Sequence, residues 1–415
     1  MDCDILIIGA GAAGIAAART ALASGRSVRV LEARPRAGGR AWTDMSLGVP
    51  FDLGATWLHD AARNPLTSLA RELGVALQDS DAARREVTFL DGRRATAGEL
   101  DAYDAAWIAF EQAIAARAAA PGPDIPAAQA APQGGPWDAT VAAWQGQVIA
   151  AWPLEAMSLR DFHANLLGGA NLLPVGGLGA LLARLAAPLP VTLDAPVTRL
   201  RWGGRQAVAE GPFGSVTAGA VVCTVPTSLL AGNAIRFDPP LPLAVQAAAH
   251  DLPLGAAIKV GLRATGEDRL GLPDHASTDR RIADGEDLIP ITFWPNGEPV
   301  ASAWIGSPLA VQLEREGPAA AEALVRAEIA ARLGSRAPGA FRPGALVSAW
   351  RSDPWSRGVY SHARVGAAAA RAVLAGPLAD GRLCLAGEAC HDGLAGTVGG
   401  AWLSGVTAAR HALAA

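Results

Sequence analysis

Three groups of residues in this chain have types and spacings suited to chemistry. The first is Gly9-x-Gly11-x-x-Gly14, within "DILIIGAGAAGIAAART". An apolar run precedes it and small helix formers follow, the strand–turn–helix setting in which this pattern binds a dinucleotide. The first glycine permits the tight turn, the second lets a pyrophosphate approach the backbone, and the third lets helix and strand pack closely. The helix N-terminus then holds the anion. The second group is Glu32, ending the next apolar run, where an acid binds ribose hydroxyls and disfavours a 2′-phosphate. NAD or FAD is therefore expected, and NADP is not. The third is Lys259 in "GAAIKVGL", the single lysine among 35 basic residues. A position that keeps lysine where every other cation is arginine calls for a compact amine with three rotatable donors, whose pKa falls on burial. The competing reading is a charged strand residue left by chance.

Other candidates are poorer. Cys3, Cys223, Cys384 and Cys390 form no CxxC pair and no zinc spacing, and buried, reduced thiols are expected. Cys390 and His391 lack a further ligand cluster, so no metal is expected. The 415 residues, 51% apolar and 18% charged, suit a folded chain of two or three domains. A net charge of −4 argues against a nucleic-acid surface. No apolar run reaches the ~20 residues of a membrane span. The first strand begins by Asp4, which leaves no room for a signal peptide, and a cytoplasmic location is expected.

These groups need elements to position them. The runs 5–8 and 28–31 read as buried parallel strands flanking a helix over 12–24 that Gly25 ends. Helical patterns are expected to dominate from about 75 to 118, followed by a proline- and glycine-rich loop over 121–136. "VTLDAPVTRLRW", "SVTAGAVVCTVP", "AAIKVGLR" and "LIPITFW" read as strands, and "AAAEALVRAEIAARLG" as an amphipathic helix. "RLCLAGEA" reads as a last buried strand before a glycine-started helix.

Beyond the glycine motif, "EARPRAGGR" (32–40) and "FDLGATWLH" (51–59) resemble the flavin-containing amine oxidases. So do "LLPVGGLGALLARLA" (172–186), "AIKVGL", "WRSDPWSRGVYSHARVG" (350–366) and "LCLAGEACHDGLAGTVGGAWLSG" (383–405). The matches run in order nearly end to end. "RGVYS" and "TVGGA" are similar to the polyamine oxidase and histone lysine demethylase branch. The fold implied is α/β: a discontinuous Rossmann-like FAD-binding domain over 1–74, 174–247 and 350–415, and a mixed α+β substrate domain over 75–173 and 248–349.

The resemblance implies noncovalent FAD, because Val359 stands where covalent relatives have a cysteine. It places Gly9, Gly11, Ala13, Gly14, Glu32, Ala33, Arg34, Gly39, Arg40, Gly54, Ala55, Thr56 and Trp57 at the cofactor, with the two arginines countering its pyrophosphate charge. Val197, Trp350, Trp355, Gly387, Glu388, Thr397 and Val398 join them, Glu388 touching the ribityl or pyrophosphate part. Lys259 would face the flavin through a hydrogen bond or a water, Tyr360 and Thr397 would flank the substrate, and His59 matches the branch's active-site histidine. The reaction implied is oxidation of an amine, a polyamine among the candidates, to an imine that hydrolyses, with oxygen reduced to hydrogen peroxide. Oligomeric state is not read. Gly399 replaces a histidine of the family's closing motif, which suggests a lost contact. Two alternatives stay open: another flavin oxidoreductase on the same fold, such as an L-amino-acid oxidase, which needs an arginine for the substrate carboxylate, or a desaturase-like enzyme; and a flavin-binding protein with a decayed site.

Overall fold

A computed structural model describes all 415 residues. Two sheets organise the chain. In the first, the order is Arg236–Asp238, Arg199–Arg201, Ala207–Gly211, Gly214–Cys223, Cys3–Ile8, Val28–Leu31 and Val191–Thr192. Leu383–Leu385 pairs in parallel with the end of Gly214–Cys223. Cys3–Ile8 lies between two parallel neighbours. Helices cover both faces there, which explains why its sequence is a continuous apolar run and does not alternate.

The helix Ala12–Ala23 follows directly, rich in alanine because it must approach another helix closely. That partner is Val398–Ala414, and a side chain at Gly405 would stand 2.1 Å from the Ala13 carbonyl oxygen. The two helices that begin at the glycine-rich motifs thus pack backbone to backbone, and their N-termini come to the same end of the sheet.

The second sheet runs Leu346–Val347, Ala257–Arg263, Val300–Gly306, Ile291–Phe293, Ala276–Arg280, Arg85–Leu90 and Arg93–Arg94. The expectation of helical dominance between 75 and 118 holds from residue 97 onward and misses the strands before it. Arg85–Leu90 is a strand, paired in parallel with Ala276–Arg280. Its "REVTFL" is short and bounded by charges, and pairing with a strand nearly two hundred residues away outweighs local propensity. The long helix in this region is Ala97–Ala119, started by a Thr96–Glu99 capping box.

Ala257–Arg263 alternates as a two-sided strand must. Ile258, Val260 and Leu262 pack into the core beneath the helices Leu309–Glu316 and Pro318–Leu333. Lys259 therefore points to the opposite face, toward the first sheet. The polar wall of that face is continued by Glu86, Thr88, Ser277, Asp279, Thr292 and Ser302, all lining one cavity between the sheets. No helix is long and apolar enough to cross a membrane.

Candidate active site

The cavity has a volume of about 1340 Å³. That exceeds the several hundred Å³ common for one small ligand and leaves room for a dinucleotide and a substrate together. At one end stand the glycine motif, Glu32 and the turn 38–41. Gly14 lies behind the lining, and a Cβ there would meet the Gly9 carbonyl oxygen at 1.8 Å, so its role is close packing. Gly11 and Gly39 face each other, and a Cβ on Gly39 would approach the Gly11 Cα to 3.1 Å. Bare backbone on both sides is the cradle a pyrophosphate requires. The buried Glu32 carboxylate accepts from the backbone N–H of Ala10 at 2.7 Å and Arg34 at 2.8 Å, which fixes it at the cavity edge.

Ala13, Ala33, Gly54, Ala55, Thr56, Trp57, Val197, Trp350, Trp355, Gly387 and Val398 all line the same cavity. A side chain on Gly387 would meet nothing within 4 Å, so its backbone is open to a ligand. Trp350 is oriented by donating to the Leu53 carbonyl oxygen at 2.8 Å. These contacts make a fitting site for FAD: a phosphate cradle, a ribose acid and a long half-apolar trough.

The charged residues amend the expectation from sequence. The Arg34 guanidinium, expected to counter the pyrophosphate, is bound to Asp353 at 2.8 Å and Ser356 at 2.6 Å. Arg40 donates to Glu388 at 3.1 Å and to the Val359 carbonyl oxygen. Glu388 also accepts from Ser361 Oγ at 2.7 Å and from the Gly396 N–H at 3.1 Å. Burial alone would push the Glu388 carboxyl up, but Arg40, Ser361 and Arg371 outweigh it and hold it below the usual carboxylate range. Behind it, Arg371 forms a two-point ion pair with Asp161 at 2.6 and 2.8 Å and donates to Ser361 at 2.8 Å. Arg34, Arg40 and Glu388 therefore brace the walls first and meet a ligand only with their remaining lone pairs and edges. Asp161 and Arg371 were not found from sequence, because nothing local marks two residues 210 apart as partners.

Lys259 is 5% exposed. Its Nζ donates to the Asp52 carbonyl oxygen at 2.9 Å, the Gly54 carbonyl oxygen at 2.8 Å and Thr56 Oγ1. It also lies 5.6 Å from the Trp57 ring centre and 5.7 Å from that of Trp304. Burial lowers its pKa to about 8, against the pull of Asp52. Burial likewise raises the Asp52 carboxyl, against the pull of Lys259. All three ammonium hydrogens thus have protein acceptors, where the sequence suggested one free for the cofactor. A neutral amine would keep the same three partners, its two hydrogens donating to the carbonyls and its lone pair accepting from the Thr56 hydroxyl.

Tyr360 is half-buried, its hydroxyl donating to the Ile149 carbonyl oxygen at 2.6 Å and its ring packed over Gly396. Burial and the nearby Glu388 both push its hydroxyl pKa up, so it stays a neutral wall. The acceptor belongs to a π-helical turn, Trp144–Ala150, and Trp304 donates to the next-door Val148 carbonyl oxygen at 2.9 Å. Both carbonyls lie in the last turn, which ends at Ala151 before Pro153, so they lack intrahelical donors and can hold two cavity aromatics. Thr397 lines the cavity, but its hydroxyl caps the last helix, accepting from Gly400 N–H and donating to the Leu394 carbonyl oxygen. It flanks the ligand space with little hydrogen-bonding capacity to offer. His59 lines the cavity and is held by Asn171 at 2.7 Å.

Gly399 has a reason in packing. A Cβ there would stand 2.9 Å from Asn64 Cγ, and Asn64 caps the helix Pro65–Glu72 while donating to the His59 carbonyl oxygen. Asn64 fills the space that a side chain at 399 would take. The glycine is thus matched to its neighbour, and by itself is no sign of decay.

A two-sheet fold with this cradle and trough defines a flavoprotein oxidoreductase. The family description "Flavin containing amine oxidoreductase" matches residues 12–133 and 128–413, and the chain belongs to that family. Polyamine oxidase 5 of Oryza sativa subsp. japonica is 29% identical over 441 residues, covering 98% of this chain and 87% of the relative. Lysine-specific histone demethylase 1 homolog 2 of Arabidopsis thaliana is 27% identical, covering 99% of this chain and 58% of its own length. A solved structure of putrescine oxidase bound to putrescine superimposes with a TM-score of 0.81 at 22% identity, covering 100% of both chains. The protein is an FAD-dependent amine oxidoreductase.

Proposed function

We propose that this enzyme oxidises an amine carrying a second positive charge, a diamine or polyamine, to an imine that hydrolyses to a carbonyl compound, with oxygen as acceptor and hydrogen peroxide as product. One observation carries the substrate class: the charge pattern of the cavity. Each of its four arginines is already paired, Arg34 with Asp353, Arg40 with Glu388, Arg84 with Asp81 and Arg371 with Asp161. A substrate carboxylate would have to compete with those partners, which disfavours an amino acid. Asp279 is the opposite case. It is 7% exposed and accepts from Tyr103 and Trp144 through Oδ2 at 2.9 Å each, while Oδ1 has no partner. Glu86 and Asp104 stand nearby at the rim, and burial, with the Asp279 and Asp104 carboxylates beside it, pushes the Glu86 carboxyl up.

The sheet register gives the spacing. Lys259 pairs with Trp304, whose N–H donates to the Pro290 carbonyl oxygen. Pro290 precedes Ile291, which pairs with Thr278, the neighbour of Asp279. Asp279 and Lys259 thus lie three strands apart on one face, about 14 Å between backbones at ~4.8 Å per strand. Tyr103, Trp107, Trp144 and Trp304 line the interval, and aromatic faces favour a cationic chain.

Bound FAD supplies the two-electron oxidation of the carbon beside the amine nitrogen. The chain's own groups position that carbon: Tyr360 as a wall, Thr397 next to the Gly396 that packs under it, and Lys259 bracing the 52–56 turn. No cysteine lines the cavity, which supports a noncovalent cofactor. Division into a flavin half and a substrate half near residues 75, 174, 248 and 350 belongs to the same proposal. A peroxide-coupled screen of hexylamine, octylamine, their α,ω-diamines and L-amino acids tests it. Turnover of diamines well above the matching monoamines is expected, and preference for amino acids would overturn the reading.

A further inference from the structure

Around His59 the hydrogen bonds are directional. Asn171 Nδ2 lies 3.1 Å from Asp81 Oδ2 and 3.3 Å from Oδ1, and a carboxylate only accepts. That orients the Asn171 amide, leaving its oxygen toward His59 Nδ1 at 2.7 Å. An amide oxygen only accepts, so Nδ1 carries the proton. Neutral His59 then has its lone pair on Nε2, which has no protein partner and belongs to a residue lining the cavity. The same turn holds the adjoining aromatic: Trp57 donates to Ser80 Oγ at 3.1 Å, and its ring centre is 5.9 Å from that of His59. We propose that Asp81 and Asn171 are positioning residues that lock His59 as the Nδ1–H tautomer, so that its Nε2 accepts a hydrogen bond from the N–H of the amine being oxidised. The substrate half of this inference rests on the amine-oxidation reading. No bond is made or broken at His59; the contact turns the amine nitrogen within the site.

Neutrality of the ring matters, since an imidazolium would have no acceptor and would repel an ammonium. Burial outweighs Asn171 and Asp81 and holds the imidazole below the usual histidine range. The charges around it are Asp81 beyond Asn171, with Arg84 paired to it at 3.5 Å, Lys259 over the Trp57 ring at 5.6 Å, and Asp60, which Arg63 engages at 3.1 Å.

The test uses the holoprotein labelled with nitrogen-15 histidine. The chain has seven histidines, and subtraction of the His59→Gln spectrum assigns the ring. At neutral pH the wild type should show a protonated Nδ1 and a bare Nε2. Asn171→Leu keeps the backbone bonds of residue 171 to Ser80 and Asp81, yet should lose that bias. Its FAD content should be normal, and kcat/KM for amines should fall roughly ten-fold, the weight of one hydrogen bond. Asp81→Asn, a milder change, should move both readouts in the same direction by less. A wild-type His59 protonated on Nε2 would overturn the lock. Undiminished kcat/KM in a variant that has lost the bias would overturn its use by substrate. Failure of every amine to reduce the wild-type flavin would remove the amine-oxidase reading and the substrate half together, with the tautomer still decided by the spectrum.

Discussion

Replacing Lys259 with methionine removes a buried charge while keeping most of the side-chain volume. Lowering the lysine pKa from 10.5 to about 8 means the fold disfavours the ammonium by about 3 kcal/mol at ~1.36 kcal/mol per unit. Below pH 8 both folded and unfolded chains hold the proton, so the wild type carries this cost in full. Between about pH 8 and 10.5 the unfolded chain binds more protons, and stability rises with pH. The Met variant has no such group, but it orphans the Asp52 and Gly54 carbonyls, each costing ~1–3 kcal/mol. Its deficit relative to wild type should therefore be small near neutrality and should widen by roughly 2 kcal/mol by about pH 10. Chemical denaturation of both holoproteins across that range measures the difference; titrating groups away from Lys259 cancel, and Asp52, which loses the pull of Lys259 in the variant, adds to the deficit without reversing its widening. A deficit that stays flat or narrows as pH rises would refute the desolvated-amine account. Lys259→Arg tests the same site by function. A guanidinium cannot become neutral, and should slow one flavin half-reaction by ~10²–10⁴-fold with FAD retained.

Other consequences follow from the same geometry. Tyr360→Ala should keep FAD yet slow anaerobic reduction by amines on the order of 10²-fold, because the wall tied to Ile149 is lost; unchanged reduction would make Tyr360 a packing residue only. Glu32→Ala should lose FAD on dialysis while remaining folded, since charge-assisted bonds to ribose contribute ~1.5–3 kcal/mol each; wild-type cofactor content would sink that assignment. Acid precipitation should release yellow FAD into solution, and flavin left in the pellet would show a covalent link.

The cofactor end of the cavity was legible because its demands are local. A turn, a backbone approach and a ribose acid fall within Gly9–Glu32 and impose residue types at fixed spacing. Lys259 was legible through contrast with the arginines around it. Its bonding was not, because the acceptors are backbone oxygens of Asp52 and Gly54, about two hundred residues away and anonymous in sequence. Asp279, Asp161 and Arg371 were missed for the same reason: each acquires meaning only from pairing across distant segments. The strand Arg85–Leu90 was hidden by helical surroundings and by a partner reached only through the long-range sheet. Gly399 misled in the other direction, since the residue that makes it fit, Asn64, lies at the far end of the chain.

The central claim is that amines reduce the flavin held in this cavity. Anaerobic addition of an α,ω-diamine to the yellow holoprotein should bleach the flavin absorbance, and air should restore it with one equivalent of hydrogen peroxide. A flavin that stays oxidised with diamines, monoamines and amino acids alike would contradict the account.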